Sequence, residues 1–197
     1  MWSVMRHVSS AGGRRPRLAP VIAEDGLVNI PAVVVAYDPQ WPRQFEILRS
    51  QLDTALAGVE HVTVHIGSTA VPGLGAKPII DLGVVVADQA AVAAAIGALA
   101  AAGWQHEGDL GVPGRDAFRP PASTIYHHLY LVTDSSQAHR DHMDLRDFLR
   151  AHPGEAARYA KLKHQLAPLL RTDRAAYATG KANLIAELLT HARQRNS

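Results

Sequence analysis

The sequence predicts an α+β fold: a small mixed β-sheet, preceded by one helix and followed by a run of about three helices. Three observations carry this expectation. Trp41, Phe45, Leu48, Leu52 and Leu56 recur at helical spacing and form one apolar stripe. Short alternating or apolar runs bounded by Gly and Pro then fill the middle of the chain. From residue 136 onward the pattern is helical throughout. Strands and helices do not alternate as βαβ units, so a doubly wound parallel sheet is not expected.

Taken in order, residues 33–35 read as a short strand. Asp38 then reads as a helix N-cap with Pro39 at the first helical position, opening the helix that carries the Trp41 stripe. Residues 61–66 alternate with period two and end at Gly67-Ser68, a strand running into a turn. Residues 69–78 hold two prolines and two glycines and make a shaped loop, and residues 79–86 form a strongly apolar strand. Asp88 caps an alanine-rich helix over 89–102, with Val92, Ile96 and Leu99 facing inward and Gly103 closing it. A strand over 104–107, a Gly/Pro-rich loop over 108–123 and a strand over 125–132 follow. The helical patterns are 136–151, 154–170 and 174–193, separated by Pro153 and by a Thr172-Asp173 cap. The stripe Tyr159, Leu162, Leu166 and Leu169 reads as helix packing.

The 197 residues fit one domain, expected over 30–197, with a flexible Arg-rich leader at 1–29. The leader lacks the apolar region of a secretory signal; a flexible extension or an early start codon is a simpler reading of it than a mitochondrial presequence, so a cytoplasmic location is expected. Hydrophobic residues make up 47% of the chain, and no apolar run is long enough for a membrane span. There is no cysteine, which excludes disulfides, thiolate metal sites and cysteine nucleophiles. The pI of 9.1 reflects the leader. Of 20 Lys+Arg, four (Arg6, Arg14, Arg15, Arg17) lie in residues 1–23, which hold no acid, leaving 16 against 18 Asp+Glu in the rest. That balance gives no support for nucleic-acid binding. No Gly-x-Ser-x-Gly elbow and no Walker A loop occur.

Chemistry concentrates in residues 65–81, HIGSTAVPGLGAKPIID. A Gly-Ser step after a strand lets backbone N–H groups and a hydroxyl approach a phosphate. Asp81 then stands in an apolar strand, where a carboxylate is costly unless it is paired or binds a metal; phosphate-associated Mg²⁺ is one explanation. The alternatives are a plain turn at Gly67-Ser68 and an ion pair of Asp81 with Lys77. Arg115 and Arg119 offer guanidinium groups to an anion or are ordinary surface charge. Arg146, Arg150, Lys163 and Lys181 face a cleft or solvent. His139 and His142 share a helix face, with no further ligand to complete a zinc site. His127 and His128 point to opposite faces of one strand.

The central string resembles the signature of the GrpB family, small proteins with a nucleotidyltransferase-like fold. The likeness extends to residues 37–42 (YDPQWP), 114–119 (GRDAFR), 128–132 (HLYLV), 145–153 (LRDFLRAHP) and 177–181 (YATGK), and covers roughly residues 33–193. In the wider superfamily a Gly-Ser turn holds a triphosphate. Two carboxylates two residues apart, with a third from another strand, hold two Mg²⁺ ions there. The resemblance implies phosphate contacts from His65, Gly67, Ser68, Thr69, Lys77, Arg115 and Arg119. Asp81 would be the first carboxylate and metal ligand, and His128 a base or second ligand. The partner position is Gly83, and the strand at 125–132 holds no acid. The function implied is a Mg²⁺-assisted nucleotidyltransferase-like enzyme acting on a nucleoside triphosphate or another phosphorylated small molecule. The alternatives are an ATP-dependent amide-forming enzyme and a non-catalytic module linked to coenzyme A metabolism, since GrpB-like domains also occur fused to dephospho-coenzyme A kinase. The oligomeric state is left open.

Overall fold

The computed structural model describes residues 32–122 and 124–195; the expected leader at 1–29 lies outside them. Five strands form one mixed sheet: β1 (Val62–Ile66), β2 (Ile80–Val86), β3 (Gln105–Gly108), β4 (Arg115–Arg119) and β5 (His127–Thr133). Their spatial order is β1-β2-β5-β4-β3, with β2 and β5 parallel and the other neighbours antiparallel. Helices α1 (Trp41–Ala55) and α2 (Gln89–Ala101) cover one face. The C-terminal helices are α3 (Gln137–Ala151), α4 (Pro153–Leu166), α5 (Leu169–Thr172) and α6 (Arg174–Arg195).

The period-two rule explains how the sheet divides its side chains. Ile80, Leu82, Val84 and Val86 of β2 join Leu129 and Leu131 of β5 in a core with Trp41, Leu48 and Leu52 of α1 and Leu99 of α2. Asp81 and Gly83, with His128 and Tyr130 beside them in register, occupy the other face. A second cluster joins Val71 and Leu74 of the central loop to Phe148 and Leu149 of α3, Tyr159 of α4 and Leu188 of α6. The C-terminal helices are thereby packed around the loop that follows β1. Asp88 caps α2, accepting from the Ala91 N–H at 2.9 Å, as expected. No helix among the described residues is long and apolar enough to cross a membrane.

Four expectations are corrected. Helix α1 begins at Trp41, because the Asp38 carboxylate accepts from the Gln40 N–H (2.9 Å) in a turn ahead of it, and Pro42 takes the first turn of the helix. Residues 33–35 form no strand: Val35 makes a single bridge to Ala76. The segment 108–123 contains a strand, β4, whose Phe118 is buried opposite Leu129. Five residues between Gly/Pro-rich ends show too little periodicity to reveal it. The helix expected over 154–170 breaks near Pro168 into α4 and α5, since proline cannot donate the interior hydrogen bond.

Candidate phosphate-binding cleft

The Gly67-Ser68 turn is built directly against Asp81. Ile66, at the end of β1, is in register with Asp81 of β2. Gly67 then takes φ 71 and ψ −169, a conformation that favours glycine, and Ser68–Ala70 form one 3-10 turn. A Cβ at position 67 would overlap Asp81 Oδ2 and come within 2.9 Å of its Cγ. The other carboxylate oxygen, Oδ1, lies 2.7 Å from His128 Nδ1. Burial pushes the Asp81 carboxyl up, but the hydrogen bond and charge contact with His128, with Lys77 and His142 adding, hold it below the usual carboxylate range. An ionised carboxylate only accepts, so Nδ1 is the donor and His128 Nε2 is left for the cleft.

One lysine contacts this turn, and two more lie within the electrostatic reach of Asp81. Lys163, in the last turn of α4, is 2% exposed. Its Nζ donates to Ser68 Oγ (3.0 Å) and to the Gly75 carbonyl (2.5 Å), and sits 4.6 Å from the Tyr159 ring centroid. Lys181 of α6 and Lys77 of the loop approach one aromatic ring, that of Tyr177, at 4.4 Å and 6.0 Å. Burial, with the neighbouring Lys181 charge, brings Lys163 down to about 7. Burial and Lys77 bring Lys181 down to about 8, and burial lowers Lys77 as well. Asp81 is the carboxylate whose charge opposes all three shifts. Arginines of α3 clamp the turn from outside: Arg146 donates to the His65 carbonyl (3.1 Å) and Arg150 to the Ala70 carbonyl (2.9 Å). Gly67, Ser68, His142, Arg146 and Tyr159 close a pocket of about 50 Å³.

Further along the same sheet face, the Arg115 guanidinium lies 4.4 Å over the Tyr130 ring. Its Nε is buried without an acceptor among the described residues. Tyr130 is kept protonated by burial and contacts the His142 ring, centroid to centroid, at 5.7 Å. Burial, with the Arg115 charge adding, lowers His142 in spite of Asp81. Arg119 is held by Glu107 of β3 through two N–H···O contacts, 2.8 and 3.1 Å.

The residues expected at the site therefore separate. Gly67, Ser68, Lys77, Asp81, His128 and Arg115 lie on the Asp81 face of the sheet or close beside it. His65 and Thr69 do not. His65 is in register with Leu82 on the core face, its ring stacks on Phe45 (centroids 4.8 Å apart), and its Nε2 lies 3.0 Å from Thr69 Oγ1. They line a different cleft of about 540 Å³ with Tyr37, Arg43 and Arg150. His127 is buried; its Nε2 accepts from Trp104 Nε1 (3.2 Å) and its Nδ1 donates to the Ile125 carbonyl (2.7 Å). The burial of Lys163 was open in the sequence. Tyr159, Lys163, Leu166 and Leu170 fall at spacings of three and four, so the lysine takes an inward place that an apolar residue usually holds.

The two-ion arrangement does not fit these residues. A Cβ at Gly83 would meet Val64 Cγ2 at 3.0 Å, with two Ile66 side-chain carbons within 3.9 Å. The second carboxylate position is thus covered by β1. The β5 positions on this face are His128, Tyr130 and Val132, none an acid, so Asp81, whose Oδ1 is bonded to His128 and whose side chain is 25% exposed, is the one carboxylate that these two strands offer here. No cluster of three His, Asp or Glu suited to a metal occurs among the described residues.

The family profile described as GrpB protein matches residues 31–191. The chain belongs to the GrpB family. It is 35% identical over 135 residues to the UPF0157 protein YqkA of Bacillus subtilis, covering 68% of this chain but only 39% of that relative. It is 32% identical to a UPF0157 protein of Streptomyces coelicolor over 93% of this chain and 96% of the other. The crystal structure of the conserved protein GrpB from Enterococcus faecalis superposes with a TM-score of 0.74 at 32% identity, covering 83% of this chain and 99% of that one. A structure of the Cid1 poly(U) polymerase matches 72% of this chain and 46% of its own, with a TM-score of 0.50 at 13% identity. That distance shows a shared nucleotidyltransferase-type fold and nothing about substrate.

Proposed function

We propose that this GrpB chain binds the phosphate groups of a nucleotide or other phosphorylated small molecule between the sheet face and helices α3–α6, as a nucleotidyltransferase-like enzyme of the cytoplasm. One observation carries the reading: Lys163 is a buried cation whose hydrogen-bond partners are a hydroxyl and a carbonyl, not a carboxylate. Asp81 acts on Lys163 only through space; burying a charge with no directly paired counter-ion is costly, and an anion at the Ser68 turn would supply one. Lys77 and Lys181, both beside the Tyr177 ring, add to the positive field. Ser68 would offer its hydroxyl, Arg115 would face the remainder of the ligand, and His128 would present Nε2 to an acceptor group.

A non-catalytic binding module is the second reading, favoured by glycine at position 83 where the fold's chemistry asks for a carboxylate. Calorimetry against ATP, CTP, GTP, UTP and coenzyme A tests the binding. Saturable binding that falls at least ~10-fold in Lys163→Met supports it, and silence across the panel overturns it. Turnover assays with any nucleotide that binds then separate the two readings. Turnover lost in His128→Ala with binding kept supports the enzyme; turnover undiminished in that variant rejects the role given to His128.

A further inference from the structure

Resting on the phosphate-binding reading, we propose that the cleft neutralises its polyphosphate with Lys77, Lys163 and Lys181, where the fold elsewhere uses a carboxylate-held metal pair, and that Asp81 serves to orient His128. The donor set leads there. Metal-pair chemistry needs two carboxylates on adjacent same-face positions, each with oxygens turned to the ion. Here one position is Gly83, sealed by Val64 and Ile66. At the other, Asp81 Oδ1 accepts from His128 Nδ1 and Oδ2 is turned toward the Gly67 turn, which leaves a single carboxylate, already engaged by a histidine, where the pair chemistry needs two. The compensating charge comes from the other side of the cleft. Lys163 reaches in from α4, Lys181 from α6 and Lys77 from the loop, each within the electrostatic reach of Asp81. Three ammonium groups can offset about the charge that two divalent ions would, leaving one unit to the nearby Arg115. Ordering the histidine then becomes the remaining task for the carboxylate, as for carboxylates that fix imidazole tautomers elsewhere.

Inorganic tripolyphosphate is the probe, titrated into the full chain in EDTA and again in millimolar Mg²⁺. The expected result is saturable binding in EDTA that Mg²⁺ leaves unchanged within about threefold or weakens, because the ion draws charge from the phosphates. Lys163→Met and Lys181→Met each weaken it at least ~10-fold, whereas Asp81→Asn does not weaken it. A tightening of tenfold or more on adding Mg²⁺, lost in Asp81→Asn, makes Asp81 a metal ligand and overturns the proposal while leaving phosphate binding intact. Failure to bind in either buffer overturns the phosphate-binding reading itself. A second measurement avoids reliance on the variants' folding. Nitrogen-detected NMR of the wild type should show His128 as the Nδ1–H form, unmoved by Mg²⁺; a Mg²⁺-induced shift of its ring nitrogens would sink the assignment.

Discussion

His128 and Asp81 face each other across the parallel β2–β5 pair, with Cα atoms in register and Nδ1 2.7 Å from Oδ1. The two residues are 47 positions apart in the chain. Their contact exists only because β5 lies beside β2 and the register aligns the two strands' cleft faces. Asp81→Ala should remove the partner of His128 and the counter-charge of three lysines together. We expect a loss of about 1–3 kcal/mol in denaturant unfolding at pH 7. Because the carboxyl is held below its ordinary range, this contribution is present above the unfolded-state value near pH 4. It disappears as pH falls through the lower native value, so the variant and wild type should converge in acid.

Gly67→Ala places a Cβ into the Asp81 carboxylate at a backbone angle that L side chains rarely adopt. Both effects act in the same direction. Unfolding free energy should drop by about 2–4 kcal/mol, and phosphate binding should be lost as the turn moves off Asp81. Gly73→Ala, also at positive φ but with nothing near its Cβ, is the control and should cost only about 1 kcal/mol.

Lys163→Met removes a buried cation while keeping an unbranched side chain only one atom shorter. The desolvation relieved and the two hydrogen bonds lost nearly offset each other, so stability should stay within about 1 kcal/mol of wild type. Ligand affinity should not be spared. A variant that folds normally and binds phosphate as tightly as wild type would remove Lys163 from the site.

Affinity should also depend on pH. In the free protein Lys163 titrates at about 7 and Lys181 at about 8, and an anion favours the protonated form of each. Kd for tripolyphosphate should therefore rise by roughly 10-fold or more between pH 6 and pH 9, with proton uptake on binding at pH 8. Calorimetry in buffers of different ionisation enthalpy measures that uptake directly.

Acid should destabilise the fold before most carboxylates titrate. His127 is buried and neutral, with burial lowering it to about 4, whereas an unfolded chain binds its proton near 6.5. Between those values the unfolded state carries the extra proton, so stability falls as pH drops from 6.5 to 4, by up to about 3 kcal/mol for this group. His127→Phe should flatten that slope. It should also lower stability at pH 7 by about 2 kcal/mol, because Trp104 Nε1 and the Ile125 carbonyl lose their partner.

The local patterns were legible from the chain itself. The Trp41 stripe, the period-two strands around Gly67-Ser68, the Asp88 cap and the helical tail each encode their own element through spacing and cap chemistry. The string at 65–81 also marked the turn and its carboxylate. Strand β4 was hidden, because a five-residue strand among glycines and prolines owes its form to pairing with β5 and β3 rather than to its own propensity. The fate of His65 was hidden for a related reason. Period two separates neighbours along a strand, but which face meets the helices is settled by the packing of α1. The lysine cluster is wholly tertiary: Lys77, Lys163 and Lys181 come from a loop and two helices, and their cost and their use arise only once packing has removed the water around them.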